Sequence, residues 1–290
     1  MPNLKDIRKR IRSVKNTQKI TRAMKLVAAS KLRRSQEAIE AARPYATKIR
    51  EVVTILASGV KAEDHPLLRT SESPEKALLL VVTSDKGLCG PFNTNLLRRV
   101  DRYLKERTDL KFDLVVIGKK GAAFFRRTKH NVAQQHPEVL LRGANAQIAR
   151  DFTATLSEKF VSGEYDQVFL AYNEFKSVIS QEQRIERILP VSPDKVESAE
   201  GGDALDFIFE PDKNGLLEVL LPKYVETAVF RAMLDSVASE HGSRMNAMDN
   251  ATRNASEMLQ KLTLTYNRAR QAAITKELVE ITTGAQALQG

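Results

Sequence analysis

The first 58 residues contain no glycine, and their apolar side chains return at helical intervals. Leu4, Ile7, Ile11 and Val14 recur at steps of three and four, which puts them on one stripe of a helix. Ile20, Met24 and Val27 resume that spacing with the stripe shifted by one position, and Ile39, Ala42, Ile49, Val52, Val53 and Leu56 carry it onward. A helix over 3–58 would measure about 80 Å. Pro44 lies inside it and removes a backbone hydrogen bond, so a bend or a change of partner is expected there rather than an end. The other end of the chain mirrors this pattern. From 223 to 283 only Gly242 interrupts, and Met245, Met248, Ala255, Leu259, Leu262, Tyr266 and Ala269 step as the seam of a coiled coil would. The apolar stripe then shifts to Ile274, Leu278, Ile281, Ala285 and Leu288.

Neither rod is stable alone, because an amphipathic helix owes most of its stability to packing its apolar face. Two rods joined through a compact middle are expected to pack on each other, antiparallel, with the middle domain at one end. The implied division is 1–58 as a first shaft helix, 59–76 as a polar linker, 77–215 as an α/β domain and 216–290 as a second shaft helix. Within the middle, 77–83, 112–117 and 167–172 read as buried strands, and 93–107, 119–129 and 145–161 as helices. That alternation predicts a mostly parallel, Rossmann-like sheet. The stretches 181–189 and 207–209 are candidate edge or antiparallel strands, and 192–204 is a polar, glycine-bearing loop.

Charge narrows the partners. The chain carries +10 overall, yet residues 1–34 alone hold twelve lysines and arginines against one acid, Asp6. A positive field so confined favours nucleic acid, anionic lipid or an acidic protein surface. A mitochondrial presequence is also basic and amphipathic, but here the helical pattern runs on past the usual length. No aromatic platform accompanies the basic run to stack single-stranded bases. No apolar run reaches the ~20 residues of a membrane helix. The lone Cys89 excludes an internal disulfide, and four scattered histidines give no metal-ligand spacing.

The stretch SDKGLCGPFNTN, 84–95, joins the first strand to a helix, the place where many α/β proteins hold phosphate. Gly87 and Gly90 are three apart and Pro91 follows, so neither the P-loop nor the dinucleotide fingerprint is present. The two glycines suit positive φ at a sharp corner, with Pro91 and Asn93 at the helix entrance. Cys89 reads as a small buried side chain, with a reactive thiol as the alternative. No catalytic constellation stands out elsewhere. A nucleotide-using enzyme would bind ATP or NAD through this loop, and a basic nucleic-acid-binding coiled coil remains the other competitor.

Three stretches together carry a resemblance: NLKDIRKRIRSVKNTQKITRAMKLVAASKLRRSQ, SDKGLCGPFNTN and YNRARQAAITKELVEITTGAQAL. In that order, and over essentially the whole chain, they resemble the gamma subunits of F-type ATP synthases. The last includes Ile274, Thr275, Glu277, Glu280, Gly284 and Ala285 at that family's spacing. The resemblance implies an antiparallel coiled-coil shaft turning inside a ring of three alpha and three beta subunits. An α/β domain would sit at the base beside epsilon and the c ring. It implies no cofactor, no nucleic-acid partner and no catalysis by this subunit. It places Met24, Arg270, Gln271 and Thr275 at contacts with beta subunits, although Met24 also fits simple seam packing. Arg244 and Glu277 fall at positions tied to coupling, with a solvated helix face as the plainer reading. The inserted cysteine pair of chloroplast members is missing, which implies a bacterial type at the cytoplasmic side of the inner membrane.

Overall fold

The structure is a computed structural model that describes residues 4–57, 65–191 and 213–287. It contains two compact units, Met1–Ala28 with Met245–Gly290, and Ala29–Arg244.

The first unit is built from the ends of two helices, α1 (Leu4–Ala57) and α5 (Lys213–Ala287). Along α1 the inward positions are 4, 7, 11, 14, 18, 21, 25 and 28; along α5 they are 245, 248, 252, 255, 259, 262, 266, 269 and 273. Both series keep a strict heptad. Across the seam Arg8 meets Tyr266 (2.7 Å), Gln18 meets Ser256 (2.6 Å), Thr21 meets Thr252 (2.8 Å) and Lys25 meets Asp249 (2.6 Å). Numbers rise on one helix as they fall on the other, so the pair is antiparallel, as expected from sequence.

Two expectations about the seam are corrected. The stripe does not shift to Ile20 and Val27, which stay 60% and 58% exposed. The heptad holds its phase because Gln18 and Thr21 take the inward positions and each finds its own hydroxyl partner on α5, Ser256 and Thr252. The second shift, to Ile274, Leu278, Ile281 and Ala285, also fails to form within the chain, and all four are exposed. Arg8 already meets Tyr266, so Leu4, one turn earlier on α1, reaches only one turn further along α5. Leu288 lies outside the described residues.

The second unit is an α/β sheet. In chain order it has β1 (Lys76–Val82), α2 (Phe92–Glu106), β2 (Lys111–Ile117), α3 (Lys119–Phe125), β3 (Asn131–His136), α4 (Ala146–Val161), β4 (Gln167–Phe175) and β5 (Gln181–Leu189). The strand order is β3-β2-β1-β4-β5, parallel except for the antiparallel β5. β1 is buried on both faces, the mark of a central parallel strand. Leu78, Leu80 and Val82 enter a core with α4 and with Ile49, Val53 and Leu56 of α1 and Leu217, Leu221 and Val225 of α5. Ala77, Leu79 and Val81 face the opposite core, with Leu96, Leu97 and Val100 of α2 and Phe125 of α3.

Several boundaries differ from the sequence reading. β3 (NVAQQH) alternates half-buried and exposed positions at the sheet edge and lacks the apolar run that marks the inner strands. The helix expected over 119–129 closes at Phe125, where Arg127 and Thr128 bond back to the Phe124 and Phe125 carbonyls. Part of the expected linker is packed: Pro66–Leu68 is a 3-10 turn, Leu67 and Leu68 are buried, and the Leu67 carbonyl accepts the Val191 amide. α5 begins earlier than its periodicity suggested and passes through Pro222. An interior proline costs about 3 kcal/mol. The fully buried ladder Leu217, Leu221, Val225 and Val229 outweighs that, at about 1.5–3 kcal/mol per side chain. α1 likewise continues through Pro44. The stretches 192–204 and 207–209 lie outside the described residues.

Candidate functional site

The loop after β1 is filled by its own polar groups. Thr83 Oγ1 donates to the Ile117 carbonyl (2.7 Å) and accepts the Gly121 amide (3.0 Å). Asn93 Oδ1 accepts the Ser84 amide (3.0 Å), while Asn93 Nδ2 donates to Ser84 Oγ (2.8 Å) and towards Cys89 Sγ (3.3 Å). Asp85 Oδ1 accepts the amides of Lys119 (3.0 Å) and Glu138 (2.9 Å), tying together the loops that follow β1, β2 and β3. The Ser84 amide and hydroxyl are thus spent on Asn93 within the loop, and the loop's Thr83 hydroxyl and Asp85 carboxylate are spent on neighbouring backbone.

The glycines fall differently from expectation. Gly90 takes positive φ (55°), but its companion is Leu88 (60°), whereas Gly87 does not. The most constrained glycine follows β2. Gly118 has φ 94°, and a Cβ there would lie 2.4 Å from the Thr83 carbonyl oxygen. Its neighbour Gly121 sits where a Cβ would meet Val116 Cγ1 at 2.6 Å. Neither glycine belongs to a motif, so periodicity and motif spacing pass over them; only the close approach of β1 and β2 reveals the need. Cys89 is 2% exposed, and burial pushes its thiol above the usual range, so it is a buried side chain and not an activated nucleophile.

Arg244 is 8% exposed, which overturns the solvated-face reading. Its guanidinium donates to Glu240 Oε1 (2.7 Å) and the Gly87 carbonyl (3.3 Å), and lies 3.3 Å from His241 Nδ1. Burial, then the neighbouring charges of Arg244 and Lys31, lower the His241 imidazole to about 4, so it is neutral and accepts from the guanidinium. Burial raises the Glu240 carboxyl. Gly87 thus matters for its carbonyl, not for a special φ.

The remaining candidates lie on the coiled-coil unit. Met24 is half-buried beside the seam, with Ile20, Leu26 and Val27 exposed around it. Arg270, Gln271, Thr275 and Glu277 are exposed on α5. Gln271 and Thr275 share one face at i, i+4, and Arg270 and Glu277 share another at i, i+7. Exposed Ile274 (48%), Leu278 (57%), Val279 (56%) and Ile281 (68%) surround them. Met24 faces the turn of Asp249, some twenty residues and about 30 Å along the rod from Arg270, so the structure does not bring the two groups together. The basic residues of the first 34 positions are exposed apart from Lys25, which is partly buried in its bridge to Asp249, and Arg8 reaches across to Tyr266.

Two long terminal helices that pair as an antiparallel coiled coil, with a five-stranded α/β sheet between them in sequence, define a stalk-type subunit architecture. The chain belongs to the ATP synthase family, whose model matches residues 3–288. It is similar to the ATP synthase gamma chains of Geobacter sp. (strain M21), 48% identical over 292 residues, and of Chlorobium phaeobacteroides (strain BS1), 43% identical over 295. Each match covers 100% of both chains. Among solved structures, a chain of the Tetrahymena thermophila mitochondrial ATP synthase central stalk and c ring is 30% identical at a TM-score of 0.60. That match covers 80% of this chain and 99% of the other. A chain of the Euglena gracilis mitochondrial ATP synthase (24% identity, TM-score 0.71, covering 98% and 94%) shares the fold. Nothing in these comparisons supports the nucleic-acid reading of the basic helix.

Proposed function

We propose that the chain is the central rotor shaft of an F-type ATP synthase, carrying torque between a proton-driven c ring and a catalytic ring of three alpha and three beta subunits, with epsilon at the base. The observation that carries this reading is the lopsided coiled-coil unit. One helix presents a basic outer face, while the other extends past its partner with an apolar stripe uncovered by its own chain. Such a stripe is expected to bury against another polypeptide. A shaft whose sides differ in charge and apolarity presents a different surface to each beta subunit as it turns, which is what sequential conversion of three equivalent sites requires.

Met24, Arg270, Gln271 and Thr275 are the proposed contacts with beta subunits, and Arg244 and Glu277 the proposed coupling positions. An apolar side chain at Met24 avoids an ion pair that would have to break at each step, at a few kcal/mol for a desolvated pair. Catalysis is assigned to the neighbouring subunits; the side chains of Thr83, Ser84, Asp85 and Asn93, engaged with backbone and with one another, support that assignment. The family's bacterial relatives support a place at the cytoplasmic face of the inner membrane, held there through the complex. Among the described residues no helix is long and apolar enough to cross a membrane.

The test is purification of the tagged chain from its native membrane, followed by attachment of a probe to it in the assembled complex. Alpha and beta subunits in threefold excess over the chain, and rotation of the probe on ATP addition, are expected. A chain that purifies without them, or a probe that stays still while ATP is hydrolysed, would refute the reading.

A further inference from the structure

β4 outruns its neighbour. Its pairing with β1 ends at Ala171, yet β4 continues to Phe175. Past that point its β1-side edge carries backbone groups with no strand to meet them, and α5 supplies side chains instead. The Asn173 amide donates to Ser236 Oγ (3.3 Å), Ser239 Oγ donates to the Asn173 carbonyl (3.1 Å), and the Asp235 carboxyl lies beside the Phe175 amide. Asp235, Ser236 and Ser239 are 5%, 2% and 0% exposed, on a helix face where apolar residues would be ordinary. Further along the same helix, Arg244 reaches the Gly87 carbonyl in the loop that follows β1. Gly242 permits the approach, because a Cβ there would meet the Phe175 ring at 3.2 Å.

We propose that Asp235, Ser236, Ser239 and Arg244 form a rotational anchor that fixes the angular setting of α5 against the sheet. The idea rests on the rotor reading, since an anchor matters only if the helix bears torque. Apolar burial is non-directional, and a helix held by it alone can roll on its bed at little cost. Hydrogen bonds are directional, and each residue of roll turns the helix by about 100°. A roll would leave the Asn173 amide and carbonyl, the two serine hydroxyls and a buried guanidinium without partners, the costliest condition for such groups. The four side chains therefore act as positioning residues, resisting twist in a direction that the apolar ladder 217–229 does not.

The experiment compares the assembled complex with its Ser236→Ala/Ser239→Ala variant. Hydrogen exchange at the Asn173 amide should rise roughly tenfold, the equivalent of one lost hydrogen bond. The angular fluctuation of a probe fixed to the α/β unit, with the alpha/beta ring immobilised, should widen. ATP hydrolysis should persist, with fewer protons moved per ATP. A merely structural role would change the urea midpoint and leave angular fluctuation alone, and that result overturns the anchor. If the double variant fails to assemble, Ser236→Ala alone removes one acceptor and supports or overturns the anchor on the same readouts. A wild-type probe that does not turn with ATP would instead sink the rotor reading itself, so the two failures are distinct.

Discussion

Asp235 and His241 stand less than two turns apart on α5 and are both displaced by burial, in opposite directions. The Asp235 carboxyl is raised from 3.8 to about 6, chiefly by desolvation, with Arg231 at 3.6 Å, Lys176 and the Phe175 amide opposing it and Glu174 reinforcing it. Its proton is held more tightly in the fold, so the stabilisation is present below pH 3.8 and lost as pH rises through 6. That loss is about 3 kcal/mol. The His241 imidazole, lowered from 6.5 to about 4, contributes stability present above 6.5 and lost as pH falls through 4, again about 3 kcal/mol. The two slopes overlap between pH 4 and 6 and cancel there, so neither is visible in the wild-type chain.

Removing one group exposes the other. Asp235→Asn keeps an oxygen for the Phe175 amide and removes the ionisation. Relative to wild type it should gain stability steadily from pH 4 to pH 7, to a total of about 3 kcal/mol. His241→Gln should show the reverse, gaining relative to wild type as pH falls from 7 to 4. Urea denaturation at half-unit pH steps, followed by circular dichroism, reads this directly. With a slope of about 3 kcal/mol per molar urea, each difference amounts to a midpoint shift of about 1 M. Variant and wild-type profiles that run parallel over this range would refute the argument, because they would mean that neither group is desolvated as the packing requires.

Met24→Lys should lower protons pumped per ATP hydrolysed in membrane vesicles while leaving assembly intact; unchanged pumping would remove Met24 from the rotor–stator contacts. Truncation after Ala269 removes the uncovered stripe of α5 and should weaken torque or assembly; normal ATP synthesis by the truncated complex would count against a partner on that stripe. Gly118→Ala must find room for a Cβ 2.4 Å from the Thr83 carbonyl oxygen at φ 94° and should destabilise the α/β unit by more than about 3 kcal/mol in urea titrations.

The helices and the inner strands were legible because each is dominated by one signal. Leu4, Ile7, Ile11 and Val14 mark a helix by spacing, and the run ALLLVV marks a strand buried on both faces. Over 18–25 apolarity and phase disagree, and the structure follows phase: Gln18, Thr21 and Lys25 are inward by heptad position although Ile20 and Val27 are the oilier choices. β3 was missed for a related reason, since an edge strand needs only one face half covered and so writes a weak pattern. At the candidate site the corner after β1 was visible, but the roles were not. Gly87 suits a positive φ by its place in the corner and instead offers a carbonyl, while Gly118 and Gly121, required by contact with Thr83, belong to no local motif. Only the resemblance points to Arg244, because its burial depends on a loop more than 150 residues away in sequence.

The polar seam has a mechanical rationale of its own. An antiparallel pair joined only by small and apolar side chains can slide by a heptad and bury almost the same surface, because burial carries no memory of register. Thr21 with Thr252 and Lys25 with Asp249 remove that freedom, for a one-heptad slip would set the Thr21 hydroxyl against Met245 or Leu259 and take the Lys25 ammonium away from its carboxylate. Each bond is modest in net stability, about 1 kcal/mol or less. Their value lies in the difference between correct and slipped states, where several fail at once. On the proposed rotor reading, a shaft needs its two helices locked axially as well as packed, which gives the less oily seam over 18–25 a reason. The exposed Ile20, Leu26 and Val27 fit the same account: with the inward positions given to register, the apolar residues of this stretch are left facing out, where a partner's surface and not the second helix can use them.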